Sequence, residues 1–141
     1  MEQARLEALL QFYQALTPDS VARFGEFYSA NAYFKDPFNE VHGLADIQPI
    51  FARMFRQLAE PRFVVKEHAG DQHSMFLVWD MYFRLRNWKP EEVRRIHGVS
   101  HLRFDTEGKV CYHRDYWDTG EELYAKLPVL GLGVRLLRRI A

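Results

Sequence analysis

The residues best suited to proton transfer lie close together near the end of the sequence, at His113 and Asp115. Side chains two apart on a β-strand share a face, so one face of the last strand would carry Cys111, His113, Asp115 and Trp117. Enclosure by aromatic side chains removes water from a carboxyl group and raises its pKa, which suits proton exchange near neutral pH. The pattern predicts general acid/base chemistry at Asp115. The alternative is an ion pair between Asp115 and an arginine such as Arg114 at a sheet edge.

A second acidic candidate, Asp36, stands directly before Pro37. Its carboxylate could face a cavity as a base, or it could accept backbone hydrogen bonds in the turn, as aspartate does in short loops. Tyr33 lies three residues earlier. Its hydroxyl could donate a hydrogen bond to a ligand, or its ring could pack with the hydroxyl in water. Both alternatives stay open for each residue.

No motif supports metal, nucleotide or nucleophilic chemistry. His97 and His101 lie four apart on one expected strand and share a face. Arg95 and Arg103 extend the same row, which indicates a solvated or dimer-facing surface. The sequence contains no zinc signature, phosphate-binding glycine loop or Ser-His-Asp spacing. We therefore expect no metal and no cofactor.

Apolar residues recurring every three or four positions predict three helices in the first 60 residues. A first helix is expected over residues 3–16, where the buried stripe is Leu6, Leu9, Leu10, Tyr13 and Leu16. Thr17 and Pro18 supply the start of a second short helix. In the third helix Pro49 is tolerable only in the first turn, which places the cap near Asp46. A short strand over residues 32–36 separates the second helix from the third.

After Pro61 the apolar period changes from about 3.6 to 2 residues, which predicts a sheet. Four strands are expected over residues 62–69, 74–86, 92–104 and 109–118, paired antiparallel as a meander. The inward face of the second strand would carry Leu77, Trp79, Met81, Phe83 and Leu85. Three helices that close one side of a long curved antiparallel sheet make an α+β fold.

The composition limits which binding partners and which cellular compartment are expected. The chain has 141 residues, of which 19 are basic and 19 acidic, so no net charge attracts nucleic acid. One core is expected over residues 1–126. Cys111 is the single cysteine, which excludes an internal disulfide and fits a cytoplasmic location. Residues 127–141 form a basic amphipathic tail that would pack on its own domain or a twin subunit, or weakly contact a membrane surface.

Two motifs carry a resemblance to a known family. They are Tyr-Phe-Lys-Asp-Pro-Phe at residues 33–38 and Phe-Asp-x-x-Gly-Lys-Val-x-x-x-Arg-Asp-Tyr-Trp-Asp at residues 104–118. Residues 6–123 resemble the SnoaL-like branch of the nuclear transport factor 2-like superfamily. The resemblance implies a cone-shaped half-barrel with helices over its mouth, a hollow for a small apolar molecule, and a homodimer formed through the sheet.

Ketosteroid isomerases of this fold keep a base aspartate in an Asp-Pro pair, which Asp36 matches. Their two oxyanion donors, a helix tyrosine and a strand aspartate, correspond here to Phe12 and Ser100. Tyr13 is adjacent, but one step along a helix turns a side chain by about 100°. Each lost donor costs about 3 kcal/mol in comparable sites, so efficient steroid isomerisation is not expected.

Limonene-epoxide hydrolases are similar through Asp115, which matches a catalytic aspartate, and Tyr33, which matches a water-positioning tyrosine. Their arginine–aspartate pair has no counterpart in the strand at residues 74–86, and His113 is the nearest substitute proton donor. The SnoaL-like polyketide cyclases need one acid/base aspartate near the last strand. Asp115 fits that smaller requirement.

These residues and the resemblance together predict a SnoaL-like protein that holds a small lipophilic molecule and acts as a cofactor-independent isomerase, cyclase or hydrolase. Asp115 and Asp36 would move protons, while His113 and Tyr33 orient the ligand. The expected cavity wall consists of Phe12, Tyr33, Leu77, Trp79, Met81, Ser100 and Trp117. The alternative is a non-catalytic ligand-binding or dimerisation module.

Overall fold

A computed structural model describes residues 2–122 of the chain. Helices α1 (Gln3–Gln14) and α2 (Leu44–Gln57) flank a 3₁₀ helix over Pro18–Glu26, and a short helix α3 (Thr119–Glu122) follows the last strand. The strands are β1 (Tyr28–Lys35), β2 (Glu40–His42), β3 (Leu58–Gly70), β4 (Ser74–Leu85), β5 (Arg94–Phe104) and β6 (Val110–Tyr116). Three helical segments followed by four long strands confirm the expected order of elements.

The six strands form one open sheet in the order β2-β1-β6-β5-β4-β3. The four long strands pair antiparallel, as the sequence predicts. β1 pairs with the other side of β6 in parallel, and β2 returns antiparallel on β1. The sheet is therefore mixed rather than purely antiparallel, because the chain crosses from one edge to the other through α2 before the meander begins.

One face of the curved sheet is covered by helices and contains the apolar core. Along β4 the buried inward residues alternate, as expected: Met75, Leu77, Trp79, Met81 and Phe83. β3 carries two register shifts, and Glu60 near the first has a φ of +51°, which bends this strand. Helix α1 adds Leu6, Leu9, Phe12 and Tyr13 to the same core. The α+β half-barrel is confirmed.

Helix α2 begins earlier than the sequence predicts. Gly43, with a φ of +92°, is the N-cap, and its carbonyl accepts the Asp46 and Ile47 amides at 3.1 and 3.0 Å. Pro49 therefore lies beyond the first turn, where its missing N–H leaves the Ala45 carbonyl without a helical partner. Both residues are exposed, so that carbonyl is open to solvent. The predicted cap at Asp46 was wrong because the glycine conformation sets the start of the helix.

The first residues of β6 do not alternate simply. Phe104 pairs with Val110 while Arg103 pairs with Tyr112, so the register shifts at Cys111. Val110 is consequently 1% exposed and Cys111 only half-buried, and the prediction that Cys111 shares the inward face was wrong. A β-bulge of this kind changes which side chains face inward on the residues before it.

The predicted tail, residues 127–141, and the predicted domain boundary at residue 126 lie outside the described residues. The membrane-surface contact of that tail stays a prediction. Between residues 2 and 122, no helix is long and apolar enough to cross a membrane.

Candidate active site

A cavity of about 430 Å³ lies between the inner face of the sheet and helix α2. Its wall is mostly apolar and includes Phe51, Met54, Phe63, Trp79, Met81 and Trp117. Exposed lining residues mark the mouth, among them Phe38, which is 57% exposed, and Arg53. A volume in this range suits a molecule of about 10 to 25 heavy atoms.

A smaller chamber of about 30 Å³ lies beside the cavity and is lined by Tyr13 and Leu16 on the α1 side. Asp115 and Trp79 line both spaces. A space of this size holds about one water molecule when polar partners surround it. Five of the predicted cavity residues line one space or the other: Leu77, Trp79, Met81, Ser100 and Trp117.

Asp115 is held where the two spaces adjoin by two short hydrogen bonds to one oxygen. Ser100 Oγ donates to Asp115 Oδ1 at 2.5 Å, and His113 Nε2 lies 2.6 Å from the same oxygen. The sheet dictates these contacts, because Ser100 and Asp115 are directly opposite on β5 and β6 and His113 precedes Asp115 by two residues. No residue between 2 and 122 donates to Oδ2, which leaves that oxygen available to a ligand.

Ser100 is itself held by Trp79. The indole Nε1–H donates to Ser100 Oγ at 2.8 Å, so the hydroxyl directs its own proton to Asp115. The indole lies across Gly98, its direct partner on β5, where a Cβ would approach the ring to 2.5 Å. Only glycine at position 98 allows this close approach.

His113 links Asp115 to two buried tyrosines. Its Nδ1 lies 2.7 Å from Tyr28 Oη, which in turn lies 2.6 Å from Tyr13 Oη. A neutral His113 that donates through Nε2 must accept at Nδ1, so Tyr28 donates to His113 and Tyr13 donates to Tyr28. Burial raises the pKa of both phenols, that of Tyr28 well above its usual range, and both keep their protons.

Two branches of hydrogen-bonded side chains end on Asp115. One runs from Trp79 through Ser100, and the other runs from the two tyrosines through His113. Ser100 Oγ donates to Asp115 Oδ1, and His113 Nε2 lies within hydrogen-bond distance of the same oxygen. One oxygen is fixed and the other has no donor among the described side chains, beside a mostly apolar cavity. Such a carboxylate is suited to take a proton from a bound molecule.

Asp36 caps the turn between β1 and β2. Its Oδ1 accepts the Phe38 amide at 2.8 Å and the Asn39 amide at 2.7 Å. The Asn39 Nδ2 donates to both carboxylate oxygens, at 3.0 and 3.1 Å. This is the turn-capping alternative that the sequence left open. Asp36 lines the cavity mouth but has no hydrogen bond to the Asp115 network, and its role as a base stays a prediction.

Tyr33 lies on the outer face of the sheet, away from the cavity in which it was expected. Its hydroxyl donates to Glu40 Oε2 at 2.5 Å, and its ring stacks on Tyr112 at 5.2 Å between centroids. The hydrogen bond to Glu40 raises the pKa of Tyr33 to about 12. Ala32 and Phe34 on either side are buried, so the alternation of β1 turns Tyr33 outward.

Phe12 packs in the core beside the site rather than in its wall. Its ring stacks on Phe27 with centroids 4.4 Å apart. The α1 residue that lines the chamber is Tyr13. Tyr13 belongs to the buried helical stripe visible in the sequence, and that stripe could have identified it. Tyr28 was missed as a site residue, because the sequence places it only in the apolar stripe of the second helix and nothing there links it to β6.

No group of three His, Cys, Asp or Glu side chains within residues 2–122 could hold a metal ion. His97 Nδ1 lies 2.7 Å from Asp80 Oδ1, and His101 Nε2 lies 2.9 Å from Ser74 Oγ. Both histidines are on the outer face of β5, so neither contributes to the cavity.

Several solved structures share this fold. An NTF2-like protein of unknown function from Burkholderia pseudomallei has a TM-score of 0.72 at 14% identity, over 85% of this chain and 95% of that one. A provisionally assigned SnoaL-like polyketide cyclase from Shewanella putrefaciens has 0.68 at 19% identity, over 87% and 86%. A hypothetical protein of ketosteroid isomerase-like fold from Catenulispora acidiphila, in complex with trimethylamine, has 0.71 at 12% identity, over 87% and 92%. At these identities the likeness concerns the fold alone.

The sequence also matches a family model directly. Residues 9–113 match the SnoaL-like domain, a span that runs from α1 to His113 on β6. No curated protein matches the chain significantly. Because the match covers most of the chain, this protein belongs to the SnoaL-like domain family, and its fold is that of nuclear transport factor 2-like proteins.

Proposed function

We propose that this protein is a cofactor-independent acid/base enzyme that moves a proton on a small lipophilic molecule held in the cavity. Asp115 is the proton-transferring group. The supporting observation is the pair of hydrogen bonds from Ser100 and His113 to one oxygen of a carboxylate that lines both cavity and chamber. The lone Cys111 fits a reducing cytoplasm, where we propose that the enzyme acts.

In the proposed step, Asp115 Oδ2 takes a proton from a carbon of the ligand, and the C–H electron pair stays on the ligand as an enolate or similar anion. An isomerase then returns the proton to another atom of the ligand. In a cyclase the anion adds to a carbonyl carbon of the same molecule, the C=O π bond opens to an alkoxide, and the alkoxide takes the proton from Asp115. In a hydrolase Asp115 takes the proton from water instead, the hydroxide adds to an electrophilic carbon of the ligand, and the proton passes to the oxygen of the bond that breaks. The chamber beside Asp115 has room for about one water, which supports the hydrolytic variant.

Ser100 and His113 are positioning residues in this proposal. They fix Oδ1, so the orientation of the carboxylate does not depend on the ligand. His113 keeps its own ring in place through Tyr28 and through Phe34, whose ring meets it edge-on at 4.9 Å. No change of charge on His113 is needed during the reaction.

A non-catalytic binding module is the second candidate, and the mostly apolar wall of the cavity favours it equally well. An apolar wall binds a lipophilic molecule whether or not a reaction follows. The two candidates differ only in whether Asp115 removes a proton from what the cavity holds.

A nitrobenzisoxazole tests this difference without knowledge of the natural substrate. A base removes its one acidic carbon-bound proton, the electron pair forms a nitrile, the N–O bond breaks, and a coloured phenolate is released. We expect the wild type to open the ring at least about tenfold faster than Asp115→Asn, because asparagine cannot take the proton.

Asp36→Asn is the matched control, since asparagine keeps an oxygen for the turn and removes the same charge. Its rate should stay close to that of the wild type. Binding of a fluorescent apolar probe, measured for all three proteins, reports whether the cavity is intact. Equal rates for the wild type and Asp115→Asn, with binding unchanged, would leave only the binding module. A rate lost in Asp36→Asn but kept in Asp115→Asn would make Asp36 the base.

A further inference from the structure

The charges that line the cavity are unevenly distributed. Among the described residues that form its wall, Arg53 alone is cationic, and the two carboxylates are Asp36 and Asp115. Arg53 lies on the exposed side of α2 at the mouth. Asp115 lines the chamber as well as the cavity, and it also borders an outer pocket beside Lys35 and Arg114. The mouth therefore carries Arg53 together with Asp36, and no lysine or arginine among the described residues lines the chamber beside Asp115.

Arg53 is held in place by a short chain of hydrogen bonds. Its Nη2 donates to Asn39 Oδ1 at 3.1 Å, and the Asn39 side chain donates in turn to the Asp36 carboxylate. Asp36 is fixed by the backbone of the turn. A guanidinium tethered in this way loses less entropy when it binds a ligand than a freely rotating one. Asp36 therefore has a second role besides capping the turn, because through Asn39 it holds Arg53 at the mouth of the cavity.

Arg53 retains donors for a ligand. Its Nε and Nη1 donate to no side chain or carbonyl within the described part of the chain. The Asp36 carboxylate makes no direct ion pair with Arg53, because its oxygens accept from Phe38 and Asn39 and the Asn39 side chain lies between the two charges. A planar guanidinium with free N–H groups binds a carboxylate or an enolate oxygen through charge-assisted hydrogen bonds.

We propose that the cavity selects small anionic amphiphiles, whose carboxylate or acidic enol lies against Arg53 while the apolar body extends toward Asp115. Arg53 sets this orientation, because its free N–H groups bind the anionic head at the mouth while the apolar wall beyond it accepts the body of the ligand. The part of the ligand that reaches Asp115 is then its apolar portion, where a carbon-bound proton would be removed. The inference rests on the proposed function, for which it names the substrate class and Arg53 as the residue that determines specificity.

Decanoate and decanol are suitable probes because they share one apolar chain and differ in the charge of the head group. Calorimetric titration of the wild type should show decanoate binding at least about tenfold more tightly than decanol, which corresponds to about 1.4 kcal/mol. Arg53→Gln should abolish the difference by weakening decanoate alone. Added salt should weaken decanoate and leave decanol unchanged.

Arg56→Gln is the matched control, because Arg56 is an exposed arginine of the same helix that does not line the cavity. Its preference for decanoate should equal that of the wild type. Equal affinity of the wild type for both probes, no detectable binding of either, or the same preference in Arg53→Gln would each overturn the proposal.

The binding test of Arg53 and the rate test of Asp115 give independent results, because nitrobenzisoxazole is uncharged and needs no cation at the mouth. If Asp115 accelerates the opening of nitrobenzisoxazole but the wild type binds decanoate and decanol equally, the proposed substrate class is wrong and the proposed enzymatic function is kept. If the preference for decanoate depends on Arg53 but Asp115→Asn does not change the rate of nitrobenzisoxazole opening, the anion-binding role of Arg53 is kept and the protein is a binding module.

Discussion

Asp115 is the residue on which two branches of buried hydrogen bonds converge. The longer branch runs from Tyr13 through Tyr28 and His113, with 2.6, 2.7 and 2.6 Å between successive polar atoms. Nearly every buried polar group in a folded protein has a partner, and this chain of donors provides one for each member. Removal of the middle link would leave the groups on both sides unpaired in an apolar environment. Tyr28, which is fully buried, is that link.

Tyr28→Phe should lower the free energy of unfolding by about 1–3 kcal/mol at neutral pH and flatten its decline at alkaline pH. Burial raises the pKa of Tyr28 in the folded protein well above 10.0, its value when unperturbed. Above about pH 10 the unfolded chain therefore binds fewer protons than the folded one. The stability contributed by this tyrosine is complete below that pH and falls by up to about 1.4 kcal/mol per unit above it.

Urea unfolding of the wild type and the variant between about pH 8 and 11 measures this slope. Tyr116→Phe is the control, because Tyr116 is 47% exposed and lies outside the network. The control should keep the neutral stability and the alkaline slope of the wild type. A Tyr28→Phe variant as stable as the control would show that His113 and Tyr13 do not depend on the Tyr28 hydroxyl.

The sequence predicts one end of this network and not the other. Asp115 and His113 are recognisable because a period of two places both on one face of a strand. Tyr28 is not, because it reaches His113 only through the parallel pairing of β1 with β6, across 85 residues of sequence. Tyr33 shows the opposite error, since its residue type suggested a ligand contact that the alternation of β1 does not allow.

At the scale of elements, Gly98 on β5 allows the ring of Trp79 on β4 to lie directly against the neighbouring strand. Gly98→Ala should destabilise the fold by about 1–3 kcal/mol, because a Cβ there would lie 2.5 Å from the Trp79 ring. The ring must move, which takes its Nε1–H away from Ser100 and weakens the support of Asp115. We therefore also expect slower opening of nitrobenzisoxazole. Urea unfolding, tryptophan fluorescence and the ring-opening rate measure the three effects.

Gly25→Ala is the matched control for this substitution. A Cβ on Gly25 would meet only the end of Leu44 at 3.5 Å, an ordinary van der Waals contact. Its stability and rate should remain close to those of the wild type. If Gly98→Ala behaves like Gly25→Ala, the indole has room to shift without loss, and the Trp79–Ser100 hydrogen bond does not support the site.

Most elements of this fold follow from apolar periodicity, which reports how a helix or strand faces a core. The exceptions occur where one residue overrides the period. Gly43 starts α2 with a backbone conformation that periodicity does not register. The bulge at Cys111 reverses the faces of the first two residues of β6. The parallel pairing of β1 depends on the crossover through α2, which is a property of the topology and not of any local segment.

At the scale of the whole molecule, α1 and α2 pack on the inner face of the sheet, and within residues 2–122 neither of these helices covers the outer face of the long strands. Arginines lie over tyrosine rings on that face: Arg62 on Tyr82, Arg103 on Tyr112 and Arg114 on Tyr116. Arginine and aromatic residues are enriched in protein interfaces. The strands β3 to β6 have 13, 12, 11 and 7 residues, so together they present about 700 Å², close to the usual area per partner of about 800 Å².

We propose that this outer face joins two copies of the chain in a homodimer, and that Phe76→Lys weakens it. Phe76 is 46% exposed on β4, and a twofold axis brings the same face of each copy together. The lysine removes apolar area and adds a charge to a face that already carries arginines, so the dissociation constant measured by sedimentation should rise at least about tenfold. Val93→Lys is the control, because Val93 is 66% exposed but precedes β5, outside the sheet. A wild type that sediments as a monomer at micromolar concentration would contradict the dimer. Equal dissociation constants for the wild type and Phe76→Lys would contradict it as well, because a lysine added to a face shared by two copies must weaken their association.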